Sequence, residues 1–147
     1  MKLKDINNIS LIWGNPSNNF IETTKDSTFI IPEMRPSLLG LNVAKRLNIN
    51  NKVVYITDNM IGLLFYKNKI SNIIFFFIEK NDNYYSCIPG SLYLYLLAKN
   101  HKINIDFLEG KAVEINKVHT SILEEFYSKE YMKAKEEIIY LEEKNGR

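Results

Sequence analysis

Five runs of apolar, mostly β-branched or aromatic residues are spaced along the chain and predict buried strands. These runs are residues 10–13, 28–31, 53–56, 73–78 and 103–108. The first four are apolar at successive positions, which is typical of parallel strands that are covered by helices on both faces. The fifth run alternates between apolar and polar residues, so we expect it to lie near an edge of the sheet.

Amphipathic segments fall between these runs and predict helices. They are residues 16–24, 36–47, 59–68 and 89–101. Pro36 suits the first position of a helix, where its missing N–H group would be unpaired anyway, and Thr57 and Asp58 are good N-cap residues for the helix that follows them. Alternating strands and helices at this spacing predict right-handed βαβ units, and therefore an α/β fold with a mainly parallel sheet.

The C-terminal region, residues 117–145, has a different pattern, and we predict one long helix from about residue 121 to residue 144. Ser121 and Glu124 match a capping box. A stripe of apolar residues recurs at a mean interval of about 3.6, the period of a straight helix. Its members are Leu123, Tyr127, Tyr131, Ala134, Ile138 and Leu141. The stripe would cover the sheet or the neighbouring helices, or it would form a dimer arm. No repeat or linker divides the chain, so we predict a single domain over residues 1–147, with a core at residues 9–108.

Composition narrows the class of protein. The net charge of the 147 residues is only +2, so charge gives no support to nucleic-acid binding. Cys87 is the sole cysteine, which excludes an internal disulfide and fits a reducing compartment. With no signal-peptide pattern after Met1 and no apolar run long enough to span a bilayer, we expect a cytoplasmic protein without membrane contact. Cys87, His101 and His119 do not have the spacing of metal ligands, so we expect no metal and no cofactor.

Four loops that follow predicted strands would meet at the carboxyl edge of the sheet, where α/β proteins bind their ligands. They are residues 14–18, 33–36, 57–59 and 79–90. Each loop leads into the N-terminus of a helix, which has free N–H groups and attracts anions. Arg35 could bind a phosphate or carboxylate with its guanidinium group. Alternatively, Arg35 pairs with Glu33 or Asp58 and only ties the loops together.

Four segments in register resemble one known family. Residues 33–40 match a Glu-x-Arg-Pro-x-x-x-Gly pattern, residues 54–60 form a strand that ends in Thr-Asp-Asn-Met, residues 90–101 resemble a Gly-Thr helix, and residues 11–15 resemble an opening strand and turn. Together they resemble the C-terminal domain of the methylthioribose-1-phosphate isomerase and translation initiation factor 2B family. The resemblance implies a Rossmann-like three-layer sandwich. It also implies a set of ligand-binding residues: Asn15, Ser17, Glu33, Arg35, Asp58, Asn59, Gly90 and Ser91.

Two departures from the family pattern concern catalysis. The isomerases have a catalytic cysteine where this chain has Gly14, and a catalytic aspartate where it has Phe77, Ile78 and Glu79. The resemblance also does not include the N-terminal helical domain that family members have. It therefore implies a non-catalytic module that binds a small phosphorylated ligand or a protein partner, and that forms a homodimer or a heteromeric complex through apolar surface. Two alternatives stay open: a divergent sugar-phosphate isomerase that uses Glu79, Asp58 or Cys87, and a structural subunit with a vestigial crevice. We assign no catalytic residue.

Overall fold

The structure, a computed structural model, describes residues 2–35, 37–112 and 137–140. The strands are β1 (Ile9–Gly14), β2 (Thr28–Pro32), β3 (Lys52–Ile56), β4 (Ile70–Phe77), β5 (Glu79–Lys80), β6 (Tyr84–Cys87), β7 (Asn104–Glu109) and β8 (Glu137–Tyr140). The α-helices are α1 (Asn18–Thr23), α2 (Leu39–Leu47), α3 (Ile61–Tyr66) and α4 (Ser91–Asn100). Short 3₁₀ turns at Leu3–Asp5 and Asp58–Met60 complete the described elements.

A five-stranded parallel sheet with the order β3-β2-β1-β4-β7 forms the centre of the molecule. Its strands coincide with the five predicted runs, so the α/β prediction with a mainly parallel sheet is confirmed. The alternating fifth run is β7, and it lies at an edge of the sheet as expected. Because parallel crossovers are right-handed, α1 and α2 cover one face of the sheet while α3 and α4 cover the other.

The core fills both spaces between the sheet and its helices. Leu11 and Ile12 are both fully buried although they are adjacent, because successive residues of a strand face opposite sides of the sheet. On the face that α2 covers, Val43 and Leu47 are inaccessible to solvent, and on the other face Leu94 of α4 is equally buried. This burial on both sides explains why the central strands are apolar at most positions.

A second, antiparallel sheet with the order β5-β6-β8 corrects the prediction for residues 79–90. We expected a long loop there, but β5 and β6 form a hairpin. Its turn is closed by Asn81, whose Oδ1 accepts the N–H groups of Asn83 at 2.8 Å and Tyr84 at 3.0 Å. An asparagine side chain that bonds the backbone two residues ahead is a common turn device, and this signal was present in the sequence.

Strand β8 corrects the prediction of the C-terminal helix. Residues Glu137–Tyr140 pair with β6 and do not form part of a helix. Ile139 is buried, whereas Ile138, which the predicted stripe placed inside, is 36% exposed. Pairing with β8 gives hydrogen-bond partners to the backbone groups at the open edge of β6. The stability gained from these long-range hydrogen bonds exceeds the helical tendency of the local sequence pattern. The rest of the predicted helix lies outside the described residues.

The helices begin later than the sequence predicted. Met34 and Leu38 both have a φ of +59°, in the left-handed region, and α2 begins at Leu39. Pro36, the predicted first residue of this helix, lies outside the described residues. The segment that begins at Asn59 is first a 3₁₀ turn and becomes α-helical at Ile61. None of the described helices is long and apolar enough to cross a membrane.

Candidate functional site

Asp58, directly after β3, holds the loop after β2 at the carboxyl edge of the sheet. Its Oδ1 accepts the N–H of Met34 at 2.8 Å, and its Oδ2 accepts the N–H of Arg35 at 2.8 Å. One carboxylate thus pairs two consecutive backbone donors of a neighbouring loop. Charge-assisted bonds of this kind are about twice as strong as neutral ones, so Asp58 fixes the position from which the Arg35 side chain leaves the backbone.

Glu33 and Arg35 form an ion pair at the same edge. The Nε of Arg35 donates to Oε1 of Glu33 at 3.1 Å, and the same oxygen accepts the N–H of Asp58 at 3.4 Å. The Arg35 side chain is 66% exposed. Its two terminal amino groups have no hydrogen-bond partner within the part of the chain that the structure describes. The loop-tying interpretation of Arg35 therefore accounts for Nε, while the terminal nitrogens remain available to a ligand.

The environment of Asp58 favours its neutral form. Burial raises the pKa of this carboxyl group, and the nearby Glu33 carboxylate adds to the rise. The hydrogen bonds from the backbone of Arg35 and Met34 and the charge of Arg35 lower the pKa, but they do not offset burial. Asp58 therefore holds its proton more tightly in the folded chain than in the unfolded chain.

A pH titration of stability tests this environment. Because the folded-state pKa of Asp58 is raised, its contribution to stability is complete below the unfolded-state pKa and is lost as the pH rises through the folded-state pKa. We therefore expect the free energy of unfolding of the wild type, minus that of Asp58→Asn, to fall as the pH rises above the ordinary aspartate pKa of about 3.9. Urea denaturation at a series of pH values measures it. Asp82→Asn, which removes an exposed carboxylate from the hairpin turn, is the matched control. A difference that rises with pH would contradict the assignment.

Met34 connects this loop to the end of β1. It is fully buried in a left-handed conformation, and its Sδ accepts the N–H of Gly14 at 3.4 Å. A non-glycine residue in this region of φ is uncommon and is kept there by its surroundings. Here the conformation is held by the hydrogen bond from the Met34 N–H to Asp58 and by the burial of the Met34 thioether. No sequence pattern indicates this role of Met34.

The chain itself covers the sheet edge at β1 and β4, where the strand order reverses and α/β proteins usually bind ligands. Gly110, just after β7, pairs with Pro16 and donates its N–H to the carbonyl of Phe77 at 2.9 Å. Gly14 has a φ of +105°, and a Cβ placed on it would lie 2.5 Å from the carbonyl oxygen of Phe76. No side chain fits at Gly14 without a shift of the neighbouring backbone, and this is the position at which the sequence resemblance implied a cysteine in the isomerases.

The other predicted ligand-binding residues make contacts within the protein. Ser17 accepts the N–H of Phe20 as the N-cap of α1, and the exposed Asn59 accepts the Thr57 hydroxyl. Ser91 is fully buried and donates its hydroxyl to a backbone carbonyl at 2.7 Å.

The N-terminus of α4 also makes a hydrogen bond within the protein. The N–H of Leu92 donates to the Glu137 carboxylate of β8 at 2.8 Å. A carboxylate of the chain thus lies where the helix N-terminus was expected to attract an anion. Gly90, just before α4, has a φ of +96°, and a Cβ there would lie 2.6 Å from the ring of Trp13.

Two basic residues that sequence reasoning missed meet at Asn15. Arg46 of α2 donates from Nη2 to the side-chain oxygen of Asn15 at 2.8 Å, and the N–H of Lys111 donates to the Asn15 carbonyl at 2.9 Å. Arg46 sits in the last turn of an amphipathic helix, where a basic residue normally faces solvent and complements the dipole. Only the fold shows that its guanidinium group returns to the end of β1.

The residues proposed for alternative chemistry are dispersed. Cys87 is buried in β6, and Glu79 is exposed in β5 of the small sheet. Asp58 is occupied by two backbone donors, as described above. Among the described residues, no three side chains of the metal-ligating types form a group that could hold a metal ion.

The sequence matches no protein-family model and no curated protein. Solved structures do share the fold. The delta subunit of the translation initiation factor eIF-2B from A. fulgidus is 16% identical, with a TM-score of 0.64 over 95% of this chain. An eIF-2B structure from Pyrococcus horikoshii OT3 is 16% identical with a TM-score of 0.55 over 92% of it, and 5-methylthioribose 1-phosphate isomerase from the same organism is 15% identical with a TM-score of 0.50 over 92%.

At these identities the likeness shows a shared fold, the Rossmann-like fold that the four sequence segments implied. The chain spans about half the length of these proteins, 51%, 54% and 48% respectively. Activities and assemblies of the longer proteins are therefore a separate question from the fold.

Proposed function

We propose that this chain is a non-catalytic binding module of the fold shared by the initiation factor and isomerase structures, and that it binds a small phosphorylated ligand at the carboxyl edge of its sheet. The observation that carries the proposal is the Arg35 side chain. It is mostly exposed, its Nε is fixed by Glu33 at 3.1 Å, and its backbone is fixed by Asp58 at 2.8 Å. A guanidinium group held in this way can present two parallel N–H donors to a phosphate with little further loss of entropy.

Gly14 supports the non-catalytic part of the proposal. An aldose–ketose shift needs one group that moves a proton at carbon and another that manages the oxygen. Gly14 provides no side chain, and the surrounding backbone leaves no room for one. At the position of the isomerase aspartate, Phe77 and Ile78 provide only hydrocarbon, and they pack against the apolar core.

Binding and turnover can be measured on the same sample with 5-methylthioribose 1-phosphate, which is the substrate named for the isomerase structure. We expect weak binding that falls as salt increases, since an exposed ion pair is screened, and no turnover. Arg35→Ala should weaken binding by about tenfold or more, because it removes a bidentate charged contact. Lys45→Ala, which removes an exposed cation from α2, should leave affinity unchanged.

Two results would contradict the proposal. One is affinity that does not change in Arg35→Ala. The other is robust turnover that Glu79→Ala or Cys87→Ala abolishes, which would favour the divergent isomerase.

A protein partner is a second candidate, and an exposed apolar surface on α3 and α4 favours it. These two helices pack together on one face of the sheet and leave five large apolar side chains exposed. They are Leu63, Tyr66, Leu92, Tyr93 and Leu96. Such surface often marks a contact between proteins, and a homodimer is the simplest case. Light scattering should then give the mass of a dimer that Tyr93→Lys and Leu96→Lys reduce to the mass of a monomer. A wild-type mass that is monomeric at high concentration would contradict the homodimer.

A further inference from the structure

Arg46 is a half-buried cation without an anionic partner among the described residues. Its Nη2 donates to the neutral amide oxygen of Asn15 at 2.8 Å, and its Nε is buried with no hydrogen-bond partner in the described part of the chain. The ion pair recorded within this part joins Arg35 to Glu33. Arg46 therefore has one hydrogen bond to a neutral group and no carboxylate to balance its charge.

An unbalanced guanidinium group is unfavourable in this position. Burial of a charge is costly unless an opposite charge and hydrogen bonds compensate it, and buried donors in folded proteins nearly always have a partner. Burial also lowers the pKa of Arg46, the direction expected of a cation that has lost water without gaining an anion. A guanidinium group that lacks an anionic partner at the ligand-binding edge of the sheet is the kind of group that a ligand completes.

Lys111 brings a second positive charge to the same loop, where its backbone contacts Asn15 and its Nζ contacts Asn18. Its N–H donates to the Asn15 carbonyl at 2.9 Å, and its Nζ contacts the side-chain oxygen of the exposed Asn18. The Asn15 side-chain nitrogen donates to the carbonyl of Ala112 at 3.3 Å, which fixes the amide with its oxygen toward Arg46. Three separate segments thus converge on Asn15: the loop after β1, the end of α2, and the chain that follows β7.

We propose that Arg46 and Lys111, oriented by Asn15, form an anion site that takes the phosphate of a small ligand, separate from Arg35. This inference rests on the proposed phosphate-binding function and assigns it a second set of contacts. The two positive charges match the charge of a phosphate dianion better than that of a carboxylate. The planar guanidinium group of Arg46 provides the directional contact and Lys111 provides a point charge.

Titration with inorganic phosphate at constant ionic strength tests the site, with chloride as the competing anion. Phosphate should bind the wild type, and both Arg46→Met and Lys111→Met should weaken binding by about tenfold or more. Methionine preserves most of the apolar stem of each side chain. Since Lys111 is exposed, its variant keeps the test valid even if Arg46→Met does not fold. Lys45→Met, next to Arg46 on α2, is the matched control and should bind as the wild type does. Arg46→Lys, which retains the charge without the planar fork, should be intermediate.

Arg35→Ala separates this inference from the proposed function. If phosphate binding is lost in Arg35→Ala but unchanged in Arg46→Met and Lys111→Met, the second site is wrong and Arg35 alone carries binding. If both methionine variants weaken binding while Arg35→Ala does not, the inference holds and the role of Arg35 is wrong. A wild type that does not distinguish phosphate from chloride would overturn the inference.

Discussion

Replacement of Gly40 by alanine is expected to prevent the chain from folding stably. Gly40 lies in the first turn of α2, directly against the end of β2, and a Cβ there would lie 1.7 Å from the carbonyl oxygen of Pro32. This obstacle is backbone, and the N–H of Gly40 also donates to the carbonyl of Glu33 at 3.0 Å, so neither segment can move alone. Overpacking against rigid backbone belongs to the largest class of single-residue effects, on the order of 4–5 kcal/mol. That is comparable to the whole stability of many domains, roughly 5–15 kcal/mol.

Gly62→Ala is the matched control for this substitution. Gly62 is also in a helix, α3, and a Cβ there would meet nothing within 4 Å. Alanine is a better helix former than glycine, so this variant should be unchanged or more stable by up to about 1 kcal/mol. Circular dichroism with thermal unfolding compares the two variants. A Gly40→Ala protein that melts at the wild-type temperature would contradict the close contact between α2 and β2.

Gly14→Cys is the substitution with the second largest expected effect, and it introduces the residue type that the sequence resemblance implied for the isomerases at this position. Its φ of +105° is unfavourable for any residue with a Cβ, and the added atom would lie 2.5 Å from the carbonyl oxygen of Phe76 on β4. We expect a loss of stability of roughly 2–4 kcal/mol and no turnover of 5-methylthioribose 1-phosphate. Urea denaturation and a turnover assay on the purified variant measure both.

Gly14→Ala separates the effect of the Cβ from that of the thiol. Both variants should lose about the same stability, because the clash is with the first side-chain atom. A Gly14→Cys protein that is as stable as the wild type and turns over the isomerase substrate would contradict the close contact at Gly14 and the proposed non-catalytic role.

The parallel sheet could be predicted from the sequence because its signals are local and strong. A strand buried on both faces must be apolar at nearly every position, and the runs in β1, β2 and β4 meet this requirement. Strand β7, at an edge of the sheet, alternates between apolar and polar residues. The prediction of a C-terminal helix was wrong at Ile138 and Ile139 for the opposite reason. Their environment depends on β6, which lies far away in the sequence, and no local period contains that information.

The site could be predicted only in part. Its position followed from the rule that ligands bind at the carboxyl ends of parallel strands, and Arg35 and Asp58 do meet there. The hydrogen-bond partners of each side chain depend on backbone conformations that no sequence pattern predicts. The Asp58 carboxylate accepts the N–H groups of Met34 and Arg35 in a loop where Met34 has a positive φ, which no sequence pattern indicates. The role of Arg46 is equally hidden, because a basic residue at the end of a helix is usually solvated.

The pairing of β6 with β8 has a consequence for the order in which the chain can fold during synthesis. The five parallel strands are complete once Glu109 has been made, and each crossover joins segments that are near in sequence. Strand β6 acquires its second partner only when Glu137–Tyr140 emerge from the ribosome. Until then one edge of β6 carries unpaired N–H and C=O groups beside the Tyr84 and Tyr85 side chains, and such an edge is a template for pairing with another chain. The four residues of β8 therefore end a period in which the nascent protein is vulnerable to aggregation.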